Sequence, residues 1–453
     1  MAKKYSKKFW IIFWAVSTVL LVLWYGFLQW KGSSDESMKV RVAKKAIEWT
    51  IPNAPKELTN IAKFVLQKDG KERTYLILLQ NNHELRPSGG YIGTFAIVKI
   101  KDGQITNLET HNTNVFDGRV PDVELPPYPM KETLKIPSWK MRDANWSPDF
   151  PTSAKKAEYF YHLGKGKEQF DGIIGVTTNI LPRLLSVTGP IELEGKAGIF
   201  TQENAIDKLQ EYVEISYQDL GVEEEERKVI IATLAKKIVE KVSWTHPITI
   251  AKIGNAIVEA LNEKEVQIYV KNEKVQKEVH TAKWGGEINS DWTKDYLMTV
   301  DANLSALKSD RLIDRNINYT IDLTLEKPRA YMQITYRHNG TQKDWRTTDY
   351  QSFLRVYLPK DAWVETVKGA NKEVVYEQEN GKKVFGALVH VGLGASKTIE
   401  LEYVLPESIK NDYSLLIQKQ AGVDNVQTSV RVIREDGKVD EKSFNMKSDT
   451  VVF

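Results

Sequence analysis

Two polar loops of this sequence carry residue types that bind phosphate. The first, NNHELRPSGGYIGTF, holds Arg86, Ser88, Gly89 and Gly90 between two apolar runs. Paired glycines permit positive φ and close approach of a ligand, and a guanidinium beside exposed N–H groups suits phosphate. We therefore interpret this loop as a candidate phosphate cradle. The alternative is a structural loop whose polar groups cap the ends of the flanking strands.

The second loop, WKMRDANWSPDFP, concentrates charge between aromatic residues. Arg142, Asn145 and Trp146 are candidates for a phosphate or carbohydrate site, and Asp143 and Asp149 could hold Mg²⁺. The alternative is an ion-paired loop that caps the helix predicted to follow it. A third, weaker polar cluster after the predicted hairpin contains Asn114 and Arg119.

Familiar catalytic motifs do not decide the chemistry. The chain has no cysteine, which excludes disulfides, thiolate metal sites and cysteine nucleophiles. HExxH, GxSxG and P-loop patterns are missing, and the seven histidines are scattered. Lys+Arg 63 against Asp+Glu 60 leaves a formal charge of +3, which is too small to indicate a nucleic-acid partner.

The elements around these loops alternate between strands and helices. TYLILLQ and GIIGVTT read as buried strands, and YIGTFAIVKI and QITNLETHN flank an Asp102-Gly103 turn as a hairpin. Helical patterns follow at about 202–215, 224–242 and 247–262. This order predicts an α/β domain over residues 73–312, a mixed sheet with flanking helices.

The pattern changes near residue 313. About nine short strand-like runs follow, punctuated by Asn339-Gly340, Asn380-Gly381 and Asp436-Gly437, without a helical period between them. We predict an all-β, antiparallel sandwich for residues 313–453.

The amino end predicts a membrane anchor. Residues 9–30 carry no charge and would span roughly 33 Å as a helix, enough for a hydrocarbon core. Four lysines precede them, so we place residues 1–8 in the cytoplasm and everything after Lys31 outside the cell membrane. Residues 31–72 would form a stalk with short helices. The alternative, a cleaved signal peptide, normally has a shorter apolar region.

Several blocks resemble a bacterial family catalogued as domain of unknown function 4012. They are ELRPSGGYIGTF, MRDANWSPDFPTSA, FDGIIGV and LLSVTGPIEL, with KWGGEINSDW and SFLRVYLP further on. The resemblance runs in order over roughly residues 70 to 360. It implies no activity.

A more distant resemblance is to the LytR–CpsA–Psr family, through the order of elements and the segment FDGIIGVTTNILPRLLSVTGPIEL. Members are membrane-anchored extracytoplasmic phosphotransferases that move a glycopolymer from a polyprenyl pyrophosphate carrier onto peptidoglycan. The resemblance implies that Arg86, Arg119 and Arg142 clamp phosphate and that Asp143 or Asp149 holds Mg²⁺.

The sequence departs from that family at its cationic positions. Glu211, Glu214 and Asp219 follow where the family has arginines, and Ser88 stands where it has an acidic residue. An inactive homologue, another substrate and another fold all remain open. Two functions follow: a phosphotransferase-like enzyme of the cell envelope acting on a lipid-linked glycan, or a non-catalytic scaffold or glycan- or protein-binding module. The enzyme requires Arg86, Arg119, Arg142 and Asp143 to surround one cleft.

Overall fold

A computed structural model describes residues 56–65, 67–193, 198–217, 227–243, 247–305, 307–371 and 374–453. The predicted membrane segment at residues 9–30 and most of the predicted stalk lie outside these ranges. Within them, the structure contains no helix long and apolar enough to cross a membrane.

The amino-terminal half is built on a five-stranded mixed sheet of order β3-β2-β1-β4-β7. Strands β1 and β4 run parallel, whereas the other neighbours are antiparallel. A two-stranded ribbon, β5–β6, lies beside it. The strands are β1 (Glu72–Asn81), β2 (Tyr91–Lys101), β3 (Gln104–Asn112), β4 (Gly172–Thr177), β5 (Ile191–Leu193), β6 (Gly198–Phe200) and β7 (Val266–Val270).

Helices cover both faces of this sheet because its central strands are apolar on both sides. Along β1, Tyr75 and Ile77 enter one core while Leu76 and Leu78 enter the other. Helices α1, α5, α7, α8 and α9 pack on the first face, and α4 packs on the second. The helices are α1 (Lys56–Val65), α2 (Thr113–Asp117), α3 (Met130–Leu134), α4 (Phe150–Leu163), α5 (Ile180–Thr188), α6 (Ala205–Glu211), α7 (Val229–Ser243), α8 (Pro247–Asn262) and α9 (Glu273–Thr281).

This α/β unit, β1–β7 with α1–α9, confirms the predicted mixed sheet with flanking helices. The Asp102-Gly103 hairpin is also confirmed, with both residues at positive φ as such a turn requires. The helix predicted over 202–215 is shorter, since α6 passes at Tyr212 into a π-helical turn that ends at Ser216.

The carboxy-terminal half is β-rich, as predicted, and consists of two six-stranded sheets of order β12-β15-β10-β9-β17-β18 and β13-β14-β11-β8-β16-β19. We call β8–β19 the sandwich. Its strands are β8 (Asp295–Asn303), β9 (Ile313–Asp322), β10 (Arg329–His338), β11 (Tyr350–Leu358), β12 (Trp363–Lys368), β13 (Val375–Glu379), β14 (Lys382–Val391), β15 (Ser396–Val404), β16 (Leu415–Ile417), β17 (Val426–Ile433), β18 (Val439–Met446) and β19 (Thr450–Val452).

The sandwich differs from the prediction in its strand pairing. β9 pairs with β17, and β8 with β16, in parallel, so the sheets are not purely antiparallel. Strand β8 begins at Asp295, before the predicted domain boundary at residue 313. Parallel pairing brings together strands far apart in sequence, and no local turn signal marks it.

The two halves share an apolar contact. Ala302, Phe353 and Leu388 on one sheet of the sandwich pack against Met130 and Trp146 of the α/β unit. This sheet is therefore buried on both faces, which explains why the residues of β11 are almost all buried instead of alternating between buried and exposed.

Candidate functional site

A cavity of about 420 Å³ opens where the parallel strands β1 and β4 end. Gln80 and Thr177, near the carboxyl ends of these strands, are register partners, and both line it. This edge of an α/β sheet is where such folds commonly bind ligands, and the volume is that of a small-molecule site.

The inner wall of the cavity is apolar. Strand β4 contributes Val176 and α5 contributes Leu181, both of them buried. Leu209 of α6, Val213 of the π-helical turn and Ile231 of α7 complete the wall. Residues of helices α5, α6 and α7 thus form the apolar side of the cavity.

The rim of the cavity is charged, and basic side chains outnumber acidic ones among its lining residues. The basic residues come from four separate segments, so only the fold brings them together. They are Arg86, Arg142, Arg227, Lys228 and Lys308, against Glu84, Asp143 and Glu214.

Lys228 is a partly buried lysine of this rim. It precedes α7, and its Nζ donates to the carbonyl oxygen of Gly93 and, over 2.9 Å, to Oδ1 of Asn112. Burial, reinforced by neighbouring Arg227, lowers the pKa of Lys228 to about 8. Its charge therefore depends on pH near neutrality.

Glu214 pairs with two further rim cations. Its Oε1 lies 3.3 Å from Nζ of Lys308, and its Oε2 lies 3.3 Å from Nη1 of Arg227. Arg227 also donates to the carbonyl oxygen of Val213. The π-helical turn, the start of α7 and the β8–β9 connection meet at this carboxylate.

Arg142 occupies the rim as predicted from its loop. Its Nε lies 3.4 Å from Oδ2 of Asp117, and the guanidinium remains partly exposed. Asp117 also accepts hydrogen bonds from the backbone N–H groups of Met141 and Arg142, while burial raises its pKa to about 6. The 3₁₀ turn that carries Arg142 is thereby held against α2.

Arg86 is placed differently from the prediction. Its side chain is 1% exposed, and its Nε donates to Oδ1 of Asp143 over 2.7 Å. Nη2 pairs with Glu84, and Nη1 donates to the carbonyl oxygens of Leu85 and Asn303. The guanidinium is therefore neutralised inside the protein, where carboxylates and carbonyl oxygens occupy its donors.

The glycine loop also has a structural role. The N–H groups of Ser88, Gly89 and Gly90 donate to Asn145, Arg86 and Gln80 respectively. A Cβ on Gly90 would lie 2.3 Å from the backbone of Asn81, so glycine is required there by close packing. All three backbone N–H groups of the predicted phosphate cradle therefore donate to acceptors within the protein.

Asn145 and Trp146 lie beneath the cavity rather than in it. The Asn145 amide donates to Oε1 of Gln80 over 2.5 Å and to the carbonyl oxygen of Gly90 over 2.7 Å. Trp146 stacks against Phe353 of the sandwich with ring centroids 6.2 Å apart. Both side chains are buried outside the cavity lining, and Oδ1 of Asn145 has no hydrogen-bond partner among the described residues.

The two candidate metal ligands are engaged elsewhere. Asp143 is held by Arg86, and Asp149 caps α4 through Thr152 while its Oδ1 accepts from the N–H of Ile288. Across the described ranges, no three His, Asp or Glu side chains are placed to hold a metal ion. These residues do not fit Mg²⁺.

The remaining predicted residues divide. Asn114 lines the cavity and accepts a hydrogen bond from the Tyr91 hydroxyl over 2.5 Å. Arg119 is exposed, lies over the Phe116 ring, and is not part of the cavity lining. Of the four side chains that the enzyme requires around one cleft, Arg86, Arg142 and Asp143 converge and Arg119 does not.

The lining residues that the sequence did not indicate as candidates include Arg227, Lys228, Lys308 and Gln210. Arg227 and Lys228 carry the only local signal, two basic residues directly before a helix. Lys308 belongs to the connection between β8 and β9, and Gln210 looks like an ordinary helix-surface glutamine. Gln210 is buried, its amide nitrogen lies near Asn81 and His83, and its Oε1 has no hydrogen-bond partner among the described residues.

The fold combines an α/β unit, which carries the cavity, with a β-sandwich. Residues 70–213 match the family described as protein of unknown function (DUF4012). The chain therefore carries a domain of that family, and the predicted resemblance is confirmed for this segment.

Further comparisons give only weak similarity. No curated protein matches the chain. A Streptococcus agalactiae protein of known structure is 13% identical, with 48% of this chain and 75% of that chain covered and a TM-score of 0.27. A Legionella pneumophila protein is 10% identical, with 31% of this chain and 54% of that chain covered and a TM-score of 0.20. An M1 zinc metallopeptidase mutant from Deinococcus radiodurans is 11% identical, with 31% of this chain and 40% of that chain covered and a TM-score of 0.18. The chain thus spans about half or less of the last two proteins, and scores this low establish neither fold nor function.

Proposed function

We propose that the cavity binds an amphiphilic anion, a phosphate or pyrophosphate attached to a polyprenyl-type chain and a glycan. The headgroup would lie on the basic rim formed by Arg142, Arg227, Lys228 and Lys308. The apolar chain would enter between α5, α6 and α7. The observation that carries this proposal is one cavity with an apolar wall and a predominantly basic rim.

The charges favour a binding role over group transfer. The carboxylates expected to hold a catalytic metal, Asp143 and Asp149, are occupied by Arg86 and by the cap of α4. A buried guanidinium that is already neutralised gains little from a phosphate. We therefore propose a non-catalytic protein that holds a lipid-linked glycan, which is the ligand class that the LytR–CpsA–Psr resemblance implies.

We further propose that residues 9–30 anchor the chain in the cell membrane with both folded halves outside. The apolar length and the preceding lysines support this placement. Protease added to intact spheroplasts should then remove the folded halves and leave a short membrane-bound fragment. Protection of the full chain would contradict the proposed topology.

The ligand is tested by titrating the full-length protein in detergent with a short-chain polyprenyl pyrophosphate, with and without Mg²⁺. We expect micromolar binding that is independent of Mg²⁺ and about tenfold weaker in Arg142→Ala, a loss of about 1.4 kcal/mol. Arg119→Ala is the matched control, because Arg119 lies outside the cavity lining.

Three results would argue against the proposal. Binding only above the millimolar range would exclude polyprenyl-linked pyrophosphates as the ligand class. Equal losses in Arg142→Ala and Arg119→Ala would place the headgroup elsewhere. Binding that requires Mg²⁺ would restore the metal-dependent transferase hypothesis, and a turnover assay would then be the next measurement.

A further inference from the structure

Glu214 occupies a position between two cations that would suit an anionic ligand. Its two carboxylate oxygens face Lys308 and Arg227, each 3.3 Å away. Those three residues come from different parts of the chain, so the pairing is a product of the fold. Their meeting point lies on the lining of the cavity.

The exposure of the three side chains is unequal. Lys308 and Arg227 are 12% and 13% exposed, whereas Glu214 is 35% exposed. An anion that approaches from solvent therefore meets the carboxylate before it reaches the cations. Since Glu214 belongs to a π-helical turn and not to a regular helix, it lies where functional distortions are common.

We infer that Glu214 is an internal competitor for the headgroup and sets which anions the cavity accepts. This inference rests on the proposed anion-binding function and deepens it. A ligand that displaces Glu214 loses the stabilisation of two ion pairs and must supply more than one negative charge to the same cations. The cavity should therefore select a terminal phosphate or pyrophosphate over a phosphodiester, which carries one charge.

The variant Glu214→Gln tests this inference on the full-length protein in detergent. It removes the charge and keeps the shape of the side chain. We expect inorganic pyrophosphate to bind about threefold to tenfold more tightly than to wild type, the range set by two partly exposed ion pairs. Binding of a dialkyl phosphodiester should improve as well, so that the difference in affinity between pyrophosphate and the phosphodiester becomes smaller.

Glu211→Gln is the matched control, because it changes the net charge equally. Glu211 lies at the end of α6, is exposed and forms no ion pair among the described residues. It should change the affinity less than twofold. Adding Lys308→Met to Glu214→Gln should cancel the gain. Since damage to the fold lowers affinity, a gain cannot arise from misfolding.

The outcomes separate this inference from the proposed function. Equal pyrophosphate affinities for Glu214→Gln and Glu211→Gln overturn the inference, while binding of the lipid pyrophosphate by wild type still supports the proposed function. A gain for inorganic pyrophosphate without any lipid binding supports the inference and overturns the proposed lipid ligand. Failure of both variants and wild type to bind either probe overturns both.

Discussion

Arg86 and Asp143 form a buried ion pair in which Nε donates to Oδ1 over 2.7 Å. The pair joins the two polar loops that stand out in the sequence. Each loop supplies one charge to neutralise the other, and Glu84 balances the second nitrogen of the guanidinium. The many charges in these loops thus form a buried structural ion pair as well as part of the charged rim of the cavity.

Replacing Arg86 should mainly affect stability. Arg86→Ala would leave Asp143 and Glu84 buried without their cation, so we expect a loss of about 3–5 kcal/mol in the free energy of unfolding. Urea denaturation of the full-length protein measures it. Arg119→Ala removes an equal charge from an exposed site and should cost less than about 1 kcal/mol. A loss for Arg86→Ala as small as for the control would contradict a structural role.

Anion binding should weaken as pH rises through 8. Burial lowers the pKa of Lys228 to about 8, so the charge on its amine is largely present at pH 7 and largely lost at pH 9. Affinity for the polyprenyl pyrophosphate should fall by up to about tenfold over this interval. Isothermal titration at pH 7, 8 and 9 measures it.

Lys228→Met separates this effect from titration of the ligand itself. Methionine keeps the length of the side chain without its charge, so the variant should bind weakly at pH 7 and show a smaller pH dependence. If wild type and Lys228→Met have parallel pH profiles, Lys228 does not contact the headgroup.

A bulky substitution in the apolar wall should distinguish binding of the polyprenyl chain from binding of the headgroup. Ile231 lines the cavity from α7 and is partly exposed within it. Ile231→Trp should abolish binding of the polyprenyl pyrophosphate but leave inorganic pyrophosphate within about twofold, because the rim is unchanged. Ile231→Val is the conservative control and should bind both. Equal loss of both probes in Ile231→Trp would mean that the headgroup also lies in the interior.

Two glycine-to-alanine substitutions should differ sharply in their effect on stability. A Cβ on Gly90 would lie 2.3 Å from backbone atoms of Asn81, which cannot move away as a flexible side chain could. Gly90→Ala should therefore cost about 1–3 kcal/mol or more through overpacking. Gly392→Ala, whose Cβ would have only one neighbour at 4.0 Å, should be nearly neutral. Thermal unfolding of both proteins measures the difference.

Local sequence was sufficient for much of the fold. The Asp102-Gly103 turn fixes the β2–β3 hairpin through two adjacent residues, and the apolar runs of β1 and β4 identify a sheet buried on both faces. The Asp-Phe-Pro start of α4 also suits a helix cap at Asp149, although we interpreted this residue from the sequence as a candidate metal ligand. All these features depend on neighbouring residues along the chain.

The roles of individual charges could not be predicted in this way. Whether Arg86 faces a ligand or a carboxylate depends on Asp143, 57 residues further on, and on the carbonyl oxygen of Asn303. The placement of Lys308 on the rim depends on how the sandwich meets the α/β unit. Residue type and spacing therefore indicated the second loop as part of the site, through Arg142, but did not separate rim residues from buried ones.

The contact between the glycine loop and the end of the chain constrains the order of folding. Gln420 donates to the carbonyl oxygen of Arg86 across 334 residues, and Gly422 lies so close to Gly89 that a Cβ there would be 2.0 Å from its carbonyl oxygen. On the ribosome, the loop beside the cavity remains incomplete until residues 420–422 have been synthesised. An amino-terminal fragment would thus lack part of its own interior, and long-range closure of this kind is slow. Chaperone dependence during folding would follow from this single contact.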